Sequence, residues 1–400
     1  MALAQVCALA GSAAFATTLV RLAGVWHLDA AHAGMIGSAY FVGYTVGVPL
    51  LVALTDRHDA RMVYAAGCAI GGLAGAGFAL FAHGFWSALL FQALAGFATG
   101  GTYMPGLRML TARLSGELRI RVVPYYTTGW SVGTSLSFLL CGWIAAYHDW
   151  HGAYFAGSAG CLLAAVCAAV AVAGIPVLAQ TEKVAQRHPL DFRPVLHNRR
   201  ALALVLAYGG HCWELFAFRS WLPTYLLFAW SRFHQRAAGV IVSRWSMLIV
   251  LVGVPASILG AESANSHRRN RTIRYFEWAS IVLCLASVGL SKMSFGLALA
   301  ALFVYSVAIM ADSGALTAST IAVASPGEQG ATLAIYSLVG FAGAAVGPLV
   351  VGRVLDYGGG FRTHAAWVLG FIAMGIGSAL ASVAMTKAMQ LEKQEKPENL

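Results

Sequence analysis

The chain has 400 residues, of which 59% are hydrophobic and only 10% charged, and it carries a formal net charge of +10. A soluble globular domain has about 25% charged residues, so an ordinary soluble enzyme and a basic nucleic-acid-binding protein are both excluded. The apolar residues fall into long blocks, each near the ~20 residues that cross about 30 Å of hydrocarbon, and the chain reads as an all-α, multi-pass membrane protein.

Twelve spans are predicted from these blocks. The first, 2–25, lacks a basic n-region, so no cleavable signal peptide is expected; Arg21 lies in its outer half. The second, 33–55, carries Tyr40, Tyr44 and Gly47-Val48-Pro49, and is followed by Asp56, Arg57 and Arg61. The third and fourth cover 62–82 and 85–110. In the fourth, Tyr103 precedes Met104-Pro105-Gly106, where proline and glycine are expected to loosen the helix and free backbone groups toward a cavity. The fifth, 121–146, contains Tyr126, and the sixth, 152–174, completes an N-terminal six-helix bundle, 1–179. A cytoplasmic linker, 180–200, follows; it is basic, and Pro189 and Pro194 oppose a continuous helix.

The second bundle, 201–387, opens with span seven, 201–229, which holds the densest polar run: His211, Trp213, Glu214 and Arg219. On a helix His211 and Glu214 share a face. Arg219 falls about 140° from Glu214, so the two do not pair unless Pro223 breaks the helix. Span eight, 238–260, carries Arg244, Trp245 and Gly253-Val254-Pro255, with Glu262 and Arg268 beyond it. In span nine, 272–290, Glu277 lies near the inner end and is set aside as an interface residue. Asp312 is central in span ten, 295–322. Span eleven, 330–355, has Tyr336, and its Gly340, Gly343 and Gly347 line one face for close helix packing. Span twelve, 363–387, leads to a solvated cytoplasmic tail, 388–400.

Of the 26 Lys and Arg residues, eighteen fall on one side of this arrangement, five on the other and three within spans. That bias predicts both termini in the cytoplasm, in a bacterial-type inner membrane. The halves also repeat. Asp56 follows Pro49 at the interval at which Glu262 follows Pro255, and basic residues come after each acid: Arg57 and Arg61, or Arg268 and Arg269. Tyr126, Gly133, Gly142 and Tyr147 match Tyr336, Gly343, Gly352 and Tyr357 at a constant offset of 210. Two equivalent halves imply a pseudo-twofold axis along the membrane normal, with substrate held between them near mid-depth.

The stretch from Gly43 to Arg61, GYTVGVPLLVALTDRHDAR, is similar to the signature of the major facilitator superfamily between spans two and three, and the resemblance extends over essentially the whole chain. It implies two six-helix bundles, rocker-switch alternating access and a cavity lined mainly by spans one, four, seven and ten. It also implies a gating loop, Asp56, Arg57 and Arg61, that forms a cytoplasmic charge network and docks near span eleven; Glu262 and Arg268 are its counterpart in the second half. Asp59 and Ala60 depart from the central residues of the signature. Gln92 stands where the family has a basic residue in span four, so that residue's proton-coupling role is not carried over. Gly347-Pro348 is similar to the antiporter motif, but that motif belongs to span five, where this chain has Ser137-Phe138, and no antiporter is read from it.

Ionisable groups inside hydrocarbon are costly and are functional candidates by default. Here they are Arg21, Glu214, Arg219, Arg244 and Asp312. The acids are too short to snorkel; each must pair with a base or carry a proton, and Glu214 and Asp312 are the expected coupling residues. Three arginines against two acids point to a small organic or inorganic anion, which guanidinium binds bidentately. The expected substrate contacts are Arg21, Arg219 and Arg244, with His211, Trp213, Tyr40, Tyr44, Tyr103, Tyr126 and Tyr336 supplying further donors. The reading is a proton-coupled secondary transporter, expected to be monomeric. The alternatives are a drug or metabolite efflux pump of the same fold and a non-transporting sensor or assembly protein. No phosphate-cradling motif and no HExxH or paired metal spacing occurs, so no ATP-driven pump, enzyme, cofactor or metal is expected, and the 7 cysteines read as small hydrophobes.

Overall fold

The structure is a computed structural model, and it describes residues 1–114, 116–175, 193–235, 238–263, 269–325 and 328–395. Span one is a pair of helices, α1 (Ala2–Ala8) and α2 (Ala14–Val25). Spans two to six are α3 (Ala30–Leu54), α4 (Ala60–Phe81), α5 (Phe85–Thr111), α6 (Gly116–Tyr147) and α7 (Trp150–Val172). A short α8 (Arg193–His197) precedes α9 (Arg199–Ser231), which is span seven. Span eight is again two helices, α10 (Gly239–Leu251) and α11 (Gly253–Ser263), and α12 (Arg269–Leu290) is span nine. Span ten comprises α13 (Phe295–Ala311) and α14 (Ser313–Val323); α15 (Gln329–Tyr357) and α16 (His364–Glu395) complete the set. Ten of these stretches are long and apolar enough to cross a membrane, and no strand occurs among the described residues.

Helix starts follow local chemistry. Asp29, Asp59, Asp149, Asn198 and Ser294 each accept a backbone N–H of the following turn, and the first four of these helices begin two or three residues earlier than hydropathy alone indicates. Two expected irregularities are absent. Pro105 lies within an unbroken α5 and Pro223 within an unbroken α9, so neither opens its span. Pro255 does end a helix: lacking an N–H and crowding the carbonyl of Leu251, it coincides with the break between α10 and α11. The tail expected from 388 is also shorter. Ala388 is fully buried, and Glu392 meets Arg200 at 3.1 Å and accepts from Asn270 at 2.8 Å, so α16 continues to Glu395. Residues 396–400, like 180–192 of the linker, lie outside the described residues.

Span one breaks without a proline. Between α1 and α2 the Ala13 N–H donates to Ser137 Oγ at 2.9 Å, and the same hydroxyl donates to Ala10 O at 2.7 Å. Backbone groups freed inside hydrocarbon need such a partner. Ser137→Ala leaves the Ala13 N–H without an acceptor and Ala10 O with only the Cys141 thiol at 3.2 Å, and is expected to cost about 1–3 kcal/mol, read as a lowered midpoint of thermal unfolding in detergent.

By contacts the chain divides into two compact units. One contains Met1–Gln186, Leu222–Leu227 and Gln235–Leu251; the other contains Arg187–Trp221, Phe228–His234 and Val252–Leu400. α10 therefore groups with the first-half helices, packing on α6. Within the first unit α3 and α5 cross in backbone contact: a Cβ on Gly96 would stand 1.7 Å from Tyr40 O, and one on Gly43 1.9 Å from Ala93 O. In the second unit the glycine face of α15 meets α9, with Gly343 against Gly209 O and Gly347 against Trp213 O.

Candidate substrate and coupling site

The buried charges cluster in the second unit. Glu214, on α9, is 1% exposed, and hydroxyls from three other helices converge on it. Ser280 of α12 reaches its two oxygens at 2.9 and 2.8 Å, Tyr305 of α13 donates to Oε1 at 2.8 Å, and Ser378 of α16 donates to Oε2. The carboxylate thus bonds four helices at one point, and sequence reading found only the acid. The donors were not legible, because a serine or tyrosine in a span carries no signal of direction until neighbouring helices are known.

One turn before Glu214, His211 is buried and its Nδ1 stands 3.0 Å from Asp312 Oδ1. Asp312 occupies the break between α13 and α14 without capping either helix through its side chain, which leaves the carboxyl directed at the histidine. Tyr208 stacks on Tyr336 at 3.7 Å between ring centroids, and His211 lies 5.8 Å beyond Tyr208. The Tyr336 hydroxyl shares a 2.8 Å hydrogen bond with Thr317. Trp213 donates to Ala373 O at 3.0 Å, an anchor between α9 and α16.

Arg219 is 6% exposed. Because α9 is unbroken, it does not meet Glu214. Its contacts are the Met310 sulfur at 3.6 Å and the face of Phe216 at 6.0 Å, and among the described residues no carboxylate stands at ion-pair distance from it. A guanidinium so placed retains most of its five donors for an incoming acceptor.

Two expected intramembrane arginines are elsewhere. Arg21 is half exposed and pairs with Asp149 at 2.7 Å in the α6–α7 turn, a neighbour remote in sequence that hydropathy could not reveal. Arg244 is exposed on α10. Glu277, set aside as an interface residue, is instead 1% exposed on α12, and neither of its oxygens has a hydrogen-bond partner. Among the described residues the buried charged groups are Arg219 and His211 with three acids, Glu214, Glu277 and Asp312, so the arginine excess read from the sequence does not extend to the buried groups. Glu277, Ser280 and Cys284 recur at i, i+3 and i+7, all buried; that spacing was the available signal.

In the first unit the tyrosines form two groups. Tyr44, Tyr103 and Tyr126 surround or adjoin Trp130, with ring centroids 5.0 Å apart for Tyr103–Trp130, 5.9 Å for Tyr44–Trp130 and 5.8 Å for Tyr103–Tyr126. The Tyr126 hydroxyl is committed to Gln5 Oε1 at 3.0 Å and Tyr103 O at 2.8 Å. Tyr40 bonds Thr99 at 2.9 Å and lines a small pocket with Ser12, Gln92 and Tyr154. None of the buried charges lines it.

The charged loop is a network. Arg108, at the end of α5, donates to Asp56 Oδ1 at 2.6 Å and to Thr55 Oγ1 at 2.5 Å, while Arg57 is exposed. Asp59 caps α4 through the Arg61 N–H at 2.8 Å and binds the Arg61 guanidinium at 2.5 Å; this hydrogen bond holds its carboxyl below the usual carboxylate range. The departure at Asp59 is thus a helix cap with a local partner. Glu262 is exposed, and Arg268 lies outside the described residues.

A profile of the Major Facilitator Superfamily matches residues 1–348. The chain belongs to this superfamily. Solved transporters share its fold across nearly their whole length. A bacterial homologue of the human lysosomal transporter Spinster, inward-facing and unoccupied, superposes with a TM-score of 0.79 at 15% identity, covering 100% of this chain and 98% of its own. The nucleoside transporter NupG gives 0.74 at 16% identity, with 96% of each chain covered. The xylose transporter XylE from E. coli, in a partially occluded inward-open conformation, gives 0.69 at 13%, with 96% and 95% covered. No curated protein sequence matches significantly. This member of the superfamily is a multi-pass membrane transporter of a small molecule and not an enzyme, built on twelve spans in two six-helix halves.

Proposed function

We propose that the protein is a proton-coupled secondary transporter of a small organic anion, working by rocker-switch alternating access as a monomer in a bacterial-type inner membrane with both termini cytoplasmic. The observation that carries the anion assignment is Arg219, buried with a thioether and a ring face as its contacts and no carboxylate at ion-pair distance among the described residues. An unpaired buried charge is unfavourable, and an anionic solute compensates it while using the planar donor fork. His211 and Tyr336 supply further donors, and Glu214 and Asp312 carry the coupling proton. The Asp56–Arg108 contact, with Arg57 and Arg61, is the inner gate, and Glu262 with Arg268 its second-half counterpart.

Purified protein in liposomes tests this. An inward proton gradient is expected to drive uptake of labelled organic anions, and Arg219→Ala is expected to lower that uptake at least about tenfold, the loss of a ~1.4 kcal/mol contact. Transport of hydrophobic cations that is indifferent to Arg219→Ala sinks the anion assignment. A neutral polar solute is the second reading, favoured by the uncharged pocket of Tyr40, Gln92 and Thr99. Uptake of nucleosides or pentoses that survives Arg219→Ala selects it.

A further inference from the structure

Glu277 has no part in the proposed binding and coupling set, yet it is the least compensated acid among the described residues. Its side chain is 1% exposed, and neither carboxyl oxygen meets a donor. It lies two turns into α12, whose packing partners are α16, α13 and α14. The charged groups that act on it are Asp312 and Glu214, both acids, and Arg274 on its own helix. Arg274, one turn earlier, reaches the Met389 sulfur at 4.0 Å. From α16, Lys387 and Lys393 are exposed and Glu392 is engaged with Arg200 and Asn270; α13 contributes Tyr305, whose hydroxyl is spent on Glu214; α14 has no ionisable residue.

An ionised carboxylate in such a place is closed off from solvent and has no donor, with Arg274 acting one turn away but not pairing with it and two acids opposing it, and is strongly disfavoured. Glu214, by comparison, is held by hydroxyls from three residues. Glu277 has none. We propose that Glu277 is a third proton-binding residue of the transport cycle. With its α12 face closed to water it is a neutral carboxylic acid. When that face admits water, the O–H bond breaks, the proton passes to water and the carboxylate remains; the reverse step reloads it. The proposal rests on the proton-coupled reading of the transporter and adds a proton site on span nine to it.

Infrared spectroscopy of the purified protein near neutral pH is the direct test. A carbonyl stretch of a protonated carboxyl, slow to shift in D2O, is expected in the wild type. A component of it should be lost in Glu277→Gln, the isosteric mimic of the neutral acid, and that component should persist in Glu214→Gln combined with Asp312→Asn. Absence of the band in the wild type, or its loss in that double variant, overturns the assignment whether or not Glu277→Gln folds. In liposomes, Glu277→Gln is expected to keep counterflow of a transported organic anion within about twofold while losing at least about tenfold of its pH-driven accumulation, or ~1.4 kcal/mol of coupling. Unchanged pH-driven accumulation in Glu277→Gln removes Glu277 from the cycle and leaves coupling through Glu214 and Asp312 standing. A wild type with no pH-driven accumulation removes the proton-coupled reading itself, and the infrared band then still decides the state of Glu277.

Discussion

Glu214→Ala is expected to lower stability by about 1–3 kcal/mol and to abolish pH-driven accumulation of substrate. The carboxylate receives donors from α12, α13 and α16 at once, and the variant leaves them without their acceptor. The serines have a way out: a helical Ser280 or Ser378 can turn back to the carbonyl one turn earlier. Tyr305 does not. It is fully buried, its hydroxyl stands far from its own backbone, and its other neighbour, the Cys284 thiol, is a weak acceptor that itself donates to Phe371 O at 2.9 Å. The loss is therefore expected to fall mainly on Tyr305. Adding Tyr305→Phe to Glu214→Ala should recover much of the stability, whereas Tyr305→Phe alone should cost about 1 kcal/mol. Unfolding midpoints of the four proteins in detergent form a double-mutant cycle. An additive cycle would show that the Tyr305–Glu214 bond contributes nothing.

The second large effect is steric. Gly96→Val is expected to prevent recovery of a folded, monodisperse protein, and Gly96→Ala to cost about 3 kcal/mol or more. The added Cβ meets the Tyr40 carbonyl oxygen at 1.7 Å, and Gly43 makes the reciprocal approach to Ala93 O. Both obstacles are backbone, so the clash is relieved only by separating α3 from α5, and that also pulls Thr99 from Tyr40. Gly24 is the control. A Cβ there meets nothing within 4 Å, and Gly24→Ala should be neutral or stabilising by up to about 1 kcal/mol. Size-exclusion profiles and unfolding midpoints of the two alanine variants should therefore diverge; equal behaviour would mean that α3 and α5 cross with room to spare.

The spans were readable because hydrocarbon thickness imposes a length on each apolar block, and Glu214 and Asp312 were readable because an acid deep in such a block has few harmless explanations. Direction was not readable. Arg21 looked intramembrane until the fold brought Asp149 beside it, and Glu277 looked interfacial because hydropathy cannot show that α12 starts at Arg269 and turns that residue inward. The repeat was informative but incomplete. Asp56 finds Arg108, a partner outside the repeated motif, and Pro49 remains inside a continuous α3 where its counterpart Pro255 accompanies a break. Equivalent sequence positions in the two halves set similar options, and neighbouring helices choose among them.

The interruption in span one has a property that the proline-associated break in span eight lacks. None of Leu9, Ala10, Gly11, Ser12 and Ala13 is missing an N–H, so every amide required for an unbroken coil is present; Ala10, Ser12 and Ala14 instead bond the carbonyl three residues back, and one rotatable hydroxyl takes the N–H of Ala13. Re-zipping these residues would twist α1 about its long axis and drag Gln5 past the Tyr126 hydroxyl. A torsional motion at this joint is thereby geared to the stacked rings of Tyr103 and Tyr126 without any change in chain length.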